Sequence, residues 1–212
     1  MAVNAVPQDR DLLKPYFSSN DAHKDPPHLQ ATIKALGLIS HPEGGYFVET
    51  DRDPLIIPNP LPKSSSPSSQ ADSTRNASTT IHYLLTPSSP LGTWHRNKAR
   101  IIHTLHRGRG RYAIIHADEE KRWVKKARIE VFTVGQDVVK GEKLQWIVEG
   151  GKYKTSFLLP DDEEGGSEGL LISETVVPGF EYTDHDFMTR ERLQALVTQD
   201  EAKLLDWMLK KG

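Results

Sequence analysis

Leu91-Gly92-Thr93-Trp94-His95-Arg96-Asn97-Lys98-Ala99-Arg100-Ile101-Ile102-His103, running on to Gly108, sets imidazole, amide and guanidinium groups on an apolar, β-branched background. On a strand, side chains two residues apart share a face, so His103 faces the same side as Ile101. Imidazole is the side chain best suited to proton transfer near neutral pH, which makes His95 and His103 the first candidates for chemistry. The cations Arg96, Lys98, Arg100, Arg107, Arg109 and Arg111 recur through the same region. Alternating cations along strands indicate a solvated face, and Arg100 is the one suited to hold an anionic ligand.

Further out, apolar and β-branched runs follow at short spacing, at 79–86, 100–105, 111–116, 127–134, 144–148, 155–159 and 170–177. Gly, Pro or Asp clusters separate most of them, which predicts an antiparallel sandwich or barrel rather than βαβ units. Tyr46-Phe47-Val48-Glu49-Thr50 reads as another strand, after the turn His41-Pro42-Glu43-Gly44-Gly45. Paired glycines beside an aromatic mark a tight bend where another strand or chain comes close, so Tyr46 has an alternative as a packing residue at a dimer interface. A short helix is predicted over 28–36, with Leu29, Ile33 and Leu36 on one face, prolines at its first turn and Gly37 as C-cap. Residues 189–210 return to helical spacing, where Leu193, Leu196, Val197, Leu204, Leu205 and Met208 form a stripe that reads as core packing behind a Thr189 N-cap. Residues 1–27 read as a flexible tail, and the Ser/Pro-rich 54–78 as a disordered insertion that cannot bury a core. That leaves one domain over 28–211.

Composition narrows the function classes. A chain of 212 residues suits one domain plus tails. A net charge of −2 and a pI near 6.5 give no global pull toward nucleic acid or membrane. The basic run also lacks the aromatic interleaving of a nucleic-acid surface. The absence of cysteine excludes disulfides, thiolate metal sites and cysteine nucleophiles. No basic, then apolar, leader opens the sequence, and no apolar run approaches the roughly 18 residues that span a bilayer. A cytoplasmic protein with neither nucleic-acid nor membrane partner is expected.

Two stretches carry a family resemblance. The first is the one quoted above, which resembles the first cupin motif: His95 stands at the first His position, Asn97 at the second, Ile101 at the Glu position and Gly108 at the closing glycine. The second, from Gly141 to Lys154, resembles the second motif, with Glu149 at the usual proline, Gly151 retained and Lys154 where a histidine would stand. With His41-Pro42-Glu43-Gly44-Gly45 and Val177-Pro178-Gly179-Phe180-Glu181-Tyr182, the chain resembles the cupin-5-like family over about residues 28–205, in its fungal form. The resemblance implies a mostly β cupin double-stranded β-helix, a jelly-roll barrel, with a short N-terminal helix and a C-terminal helix. It also implies a homodimer.

The departures from the motifs shape the expected chemistry. A cupin metal site needs imidazoles and a carboxylate converging inside the barrel. Here Ile101 cannot ligate and Lys154 would repel a cation, so no metal or other cofactor is expected. The alternative is a set of His95 and His103 with Glu49 or Glu174, holding a divalent metal for oxygenase or decarboxylase chemistry. Without metal, His95, Asn97, His103 and Lys154 suit a pocket for a small polar metabolite. The resemblance to metal-free cupin epimerases implies a histidine base, with His95, His103, Glu49 and Tyr46 as catalytic candidates. Tyr83 is the other candidate acid, and Asn97, Arg100, Tyr83, Lys154 and Glu174 are the candidate ligand contacts. An isomerase, epimerase, lyase or cyclase fits this set. Its alternative is a non-catalytic binding protein, since lost ligands are what relaxed selection on catalysis leaves. His23, His28, His82, His106, His116 and His185 read as ordinary residues.

Overall fold

The expected strands form and pair antiparallel. In the computed structural model, which describes residues 10–17, 24–61, 73–122 and 126–211, the chain opens with α1 (Pro27–Leu36), β1 (Ile39–Ser40), β2 (Tyr46–Arg52), β3 (Ile56–Pro58), β4 (Thr74–Asn76) and β5 (Thr79–Leu85). It continues through β6 (Leu91–Asn97), β7 (Arg100–Arg107), β8 (Gly110–Ile115), β9 (Ile129–Val134), β10 (Gln145–Val148), β11 (Tyr153–Leu158) and β12 (Leu170–Val177). It closes with β13 (His185–Phe187), α2 (Arg190–Leu196) and α3 (Gln199–Leu205). One sheet runs β1-β2-β5-β12-β7-β10 and the other β13-β6-β11-β8-β9. This is the mostly β barrel expected, with its helices at the two ends of the chain.

Two cores hold it. Inside the barrel, Tyr83, Leu105, Tyr112, Ile114, Trp146 and Ile172 pack between the sheets. On the other side of the second sheet, Trp94, Ala113, Ile115 and Phe157 pack on Leu193, Leu196, Leu205 and Met208. Each of those fully buried leucines is worth roughly 1.5–3 kcal/mol. β11 is therefore covered on both faces, and all six of its residues are buried. A strand buried twice loses its alternation of apolar and polar residues.

Helix ends follow the expected chemistry. Gly37 closes α1 at φ 65°, the left-handed conformation that glycine adopts without penalty. Thr189 caps α2 by accepting from the Arg192 amide. The C-terminal stripe is split, however: Val197 leaves helical geometry and Thr198 starts α3 with a capping box to Glu201. The second cap was hidden because the apolar spacing continues across the break.

Two segments depart from expectation. In the 54–78 insertion, β3 pairs with β4, and Arg75 is buried against Asp184 at 3.4 Å. Ile56-Ile57 and the Thr74-Arg75-Asn76 stem have strand character that the Ser/Pro composition masks; residues 62–72 lie outside the described residues. In the expected tail, Leu13 is buried in the helix-side core, its carbonyl accepting from Trp207 Nε1 at 3.1 Å. Asp25 is bonded to Thr86 and Ser88. Apolar anchors in a polar stretch were enough to dock it; residues 1–9 and 18–23 lie outside the described residues. Among the described residues no helix is long and apolar enough to cross a membrane.

Candidate functional site

A cavity of about 220 Å³ opens between the sheets. Strand register places its walls. On the first sheet Glu49 pairs with Ile81, Ile81 with Glu174 and Glu174 with His103, so these side chains share the inner face. On the second, His95 and Asn97 share one face of β6, with Phe187 and His185 as their partners on β13.

The turn before β2 supplies a buried charge. Gly44 has φ 104°, and a Cβ there would lie 2.0 Å from the Leu91 carbonyl oxygen, so only glycine fits. The turn is pinned by the Thr93 amide donating to Glu43 O at 2.8 Å and the Gly45 amide donating to Ser89 Oγ at 2.7 Å. It sends the buried Glu43 carboxylate into the cavity. There His185 Nε2 lies 2.7 Å from Oε1, and His95 Nε2 lies 3.3 Å from Oε2.

The tautomer of His95 follows from its partners. Nδ1 lies 2.8 Å from the Thr93 carbonyl oxygen, which only accepts, so Nδ1 carries the proton. The Nε2 lone pair then faces the cavity and Glu43. Burial pushes His95 down to about 4, against the opposing pull of Glu43, so the ring is neutral at pH 7. Burial works to raise Glu43, but His95 and the His185 hydrogen bond outweigh it and bring the carboxyl to about 2. The pair is thus a carboxylate beside a neutral base. Tyr83 Oη donates to Gly44 O at 2.8 Å, and burial, reinforced by Glu43 and Glu174, pushes its phenol well up.

Beyond Glu174 lies a closed cluster. Lys154 crosses from the second sheet, and its Nζ reaches Glu174 Oε2 at 2.6 Å and His103 Nε2 at 2.8 Å. His103 is fully buried, stacked on Trp146, and pushed down by burial and then by Lys154. Burial alone would raise Glu174; the Lys154 ammonium and His103 overcome it and hold the carboxyl well below its ordinary range.

This donor set does not fit the metal that the motif positions imply. Of those positions only His95 offers a strong ligand, and the Lys154 ammonium already occupies the lone pairs of His103 and Glu174. A cation there would face a buried positive charge. A second group, His116, Asp118 and Glu119, has donor atoms within 4.8 Å of one another. Its His116 Nδ1 sits 2.9 Å from Lys152 Nζ and 2.8 Å from an Arg128 nitrogen, and Lys152 also bonds Asp118, so cations already fill it.

Of the sequence candidates, His95, Asn97, Glu49, Tyr83 and Glu174 come together on the cavity wall. His103 and Lys154 sit behind Glu174, off the wall. Tyr46 is also off the wall, because strand alternation turns it away from the inner face that holds Phe47 and Glu49. Arg100, at the exposed start of β7, pairs with Glu149 at 2.8 Å instead of facing the cavity. The wall also includes Glu43, His41, Arg52 and His185, none of which the sequence marks as a site residue; His185 reads there as ordinary. The acidic residue before the paired glycines was the available signal for Glu43; β13, which carries His185, is too short to show a pattern.

Comparison with known proteins agrees with the barrel. The family model described as Cupin superfamily (DUF985) matches residues 30–188. An uncharacterized protein of Saccharomyces cerevisiae, YML079W, is 44% identical over 184 residues, 86% of this chain and 87% of that protein. A hypothetical protein from Leishmania major aligns at TM-score 0.68 and 28% identity, covering 86% of this chain and 98% of its own. Protein SO0799 from Shewanella oneidensis aligns at TM-score 0.65 and 20% identity, covering 90% and 100%.

Proposed function

The chain belongs to the DUF985 family of the cupin superfamily, and from that premise we propose that its barrel cavity binds a small polar metabolite and moves a proton at His95. The observation that carries this is the fixed tautomer: Thr93 O holds Nδ1–H, so Nε2 presents its lone pair to the cavity 3.3 Å from Glu43. A ligand C–H or O–H proton passes to Nε2, and the Glu43 carboxylate compensates the imidazolium that forms. Return of that proton to a neighbouring ligand atom completes an isomerisation or epimerisation, with no oxidant or reductant consumed. The volume, about 220 Å³, is below the roughly 300–1,000 Å³ of drug-sized pockets and suits a metabolite of few heavy atoms.

A second reading is binding without turnover. It is favoured by Tyr83, the buried phenol on the wall, whose proton is already committed to Gly44 O. A ligand screen by thermal shift, followed by NMR of the hits in deuterated water, separates the two. Proton transfer at carbon exchanges a ligand hydrogen for deuterium with wild-type protein and not with His95→Asn, which keeps a donor for Thr93 O. Exchange that survives in His95→Asn contradicts the mechanism, and a bound ligand that neither exchanges nor converts supports the second reading.

A further inference from the structure

We propose that the ligand of this cavity carries a protonated amine, an inference that rests on the cavity being a small-molecule site. Its charge balance is the first ground. Glu43, Glu49, Glu174 and Glu181 all reach the wall, and Arg52 is the one lysine or arginine among the described wall residues. Arg52 is already engaged, with its nitrogens 2.9 and 3.0 Å from the Glu49 oxygens and 3.2 Å from Glu181. Lys154 neutralises Glu174 from behind. Four carboxylates thus face two cations, and the direct side-chain partners of Glu43 are histidines, with Lys154 acting on it from farther off. An anionic ligand would enter a negative cavity whose cations are spent; a cation would be drawn in.

Hydrogen-bond polarity points the same way. With its proton held on Nδ1 by Thr93 O, His95 turns an Nε2 acceptor toward the cavity 3.3 Å from Glu43 Oε2, and an ammonium seated on Glu43 would supply a donor where acceptors gather. Asn97 Oδ1, on the same face of β6, is buried with no hydrogen-bond partner. Buried acceptors of this kind are costly to leave unmade. An ammonium brings three donors and no acceptor, matching an excess of acceptors that a carboxylate or phosphate could not serve. The remaining wall suits a cation as well, since Phe47, Tyr83 and Phe180 add aromatic rings to it, while Phe187 already carries Lys210 Nζ 3.9 Å from its ring centre.

The test uses full-length protein and matched probes on three skeletons, phenylethyl, isopentyl and imidazolylethyl, each as amine, alcohol and carboxylate. Calorimetry should find an amine bound at least tenfold more tightly than its own alcohol, with the carboxylates showing no saturable binding. Glu43→Gln should weaken the amine tenfold or more and the alcohol twofold or less. An alcohol that binds as well as its amine, or a carboxylate that binds better, overturns the amine inference and leaves the cavity as a ligand site. If no probe of any class binds, the cavity reading falls and this inference with it.

Discussion

Lys154 and His95 are paired residues on neighbouring strands, yet the clusters they anchor behave differently. The Lys154 cluster is closed: one ammonium meets one carboxylate and one imidazole across the two sheets, deep in the interior. The Glu43 cluster is open on one side: His185 holds Oε1, while Oε2 and the His95 lone pair line the cavity. The same residue types, an acid and a histidine, serve architecture in one place and present chemistry in the other. What separates them is whether a third group completes the set. Lysine at the motif position is thus better understood as a strut between the sheets than as a lost ligand.

The largest effect should come from breaking the closed cluster. Lys154→Met leaves Glu174 buried without its cation, at a cost of about 3–5 kcal/mol. That corresponds to a Tm lower by about 10 °C in a thermal melt. Adding Glu174→Leu should restore most of it, because removing both charges removes the unpaired one. A single variant as stable as the wild type would show that the cluster holds nothing together.

Acid should strain the open cluster next. His95 has its folded value near 4 and its unfolded value near 6.5, so the unfolded chain binds the proton first. Stability is therefore lost as pH falls from about 6.5 through about 4, by up to about 3 kcal/mol from this group. His41 and His103, also pushed down by burial, add to the same loss. The carboxylates act lower: the Glu43 contribution is complete above its unfolded value and disappears as pH falls toward about 2. Urea melts across this range should show His95→Asn with a shallower slope between pH 6.5 and 4, and an unchanged slope would place the loss elsewhere.

Glu43→Gln is a smaller perturbation. The amide oxygen still accepts from His185, so unfolding free energy should change by no more than about 1–2 kcal/mol while amine binding weakens tenfold or more. A large destabilisation with binding intact would make Glu43 a structural residue like Glu174. Smallest of all is Tyr83→Phe, which removes the bond to Gly44 O and should cost about 1 kcal/mol. If turnover is found, survival of that turnover in Tyr83→Phe would remove the phenol as its acid.

The fold was legible because motif glycines and β-branched runs are local signals, and the strands formed close to the positions those signals mark. The wall residues on strands, His95, Asn97, Glu49, Tyr83 and Glu174, were legible for the same reason. Glu43 and His185 were harder to see: one comes from a turn and the other from a three-residue edge strand, and only tertiary structure brings them 2.7 Å apart. The reach of Lys154 to Glu174 was likewise invisible, because it depends on how two sheets face each other, which no local pattern encodes. Arg100 looks like a mouth residue because its neighbours in sequence are motif residues; strand alternation turns it outward, and the antiparallel register of β7 with β10 sets it beside Glu149 instead.

The most direct test of the open cluster is a crystal structure of the protein soaked in a mixture of small amines, alcohols and carboxylic acids. Density for a bound molecule within hydrogen-bond distance of both His95 Nε2 and Glu43 is the predicted result. Density for a bound molecule elsewhere, with only water beside His95, would contradict it.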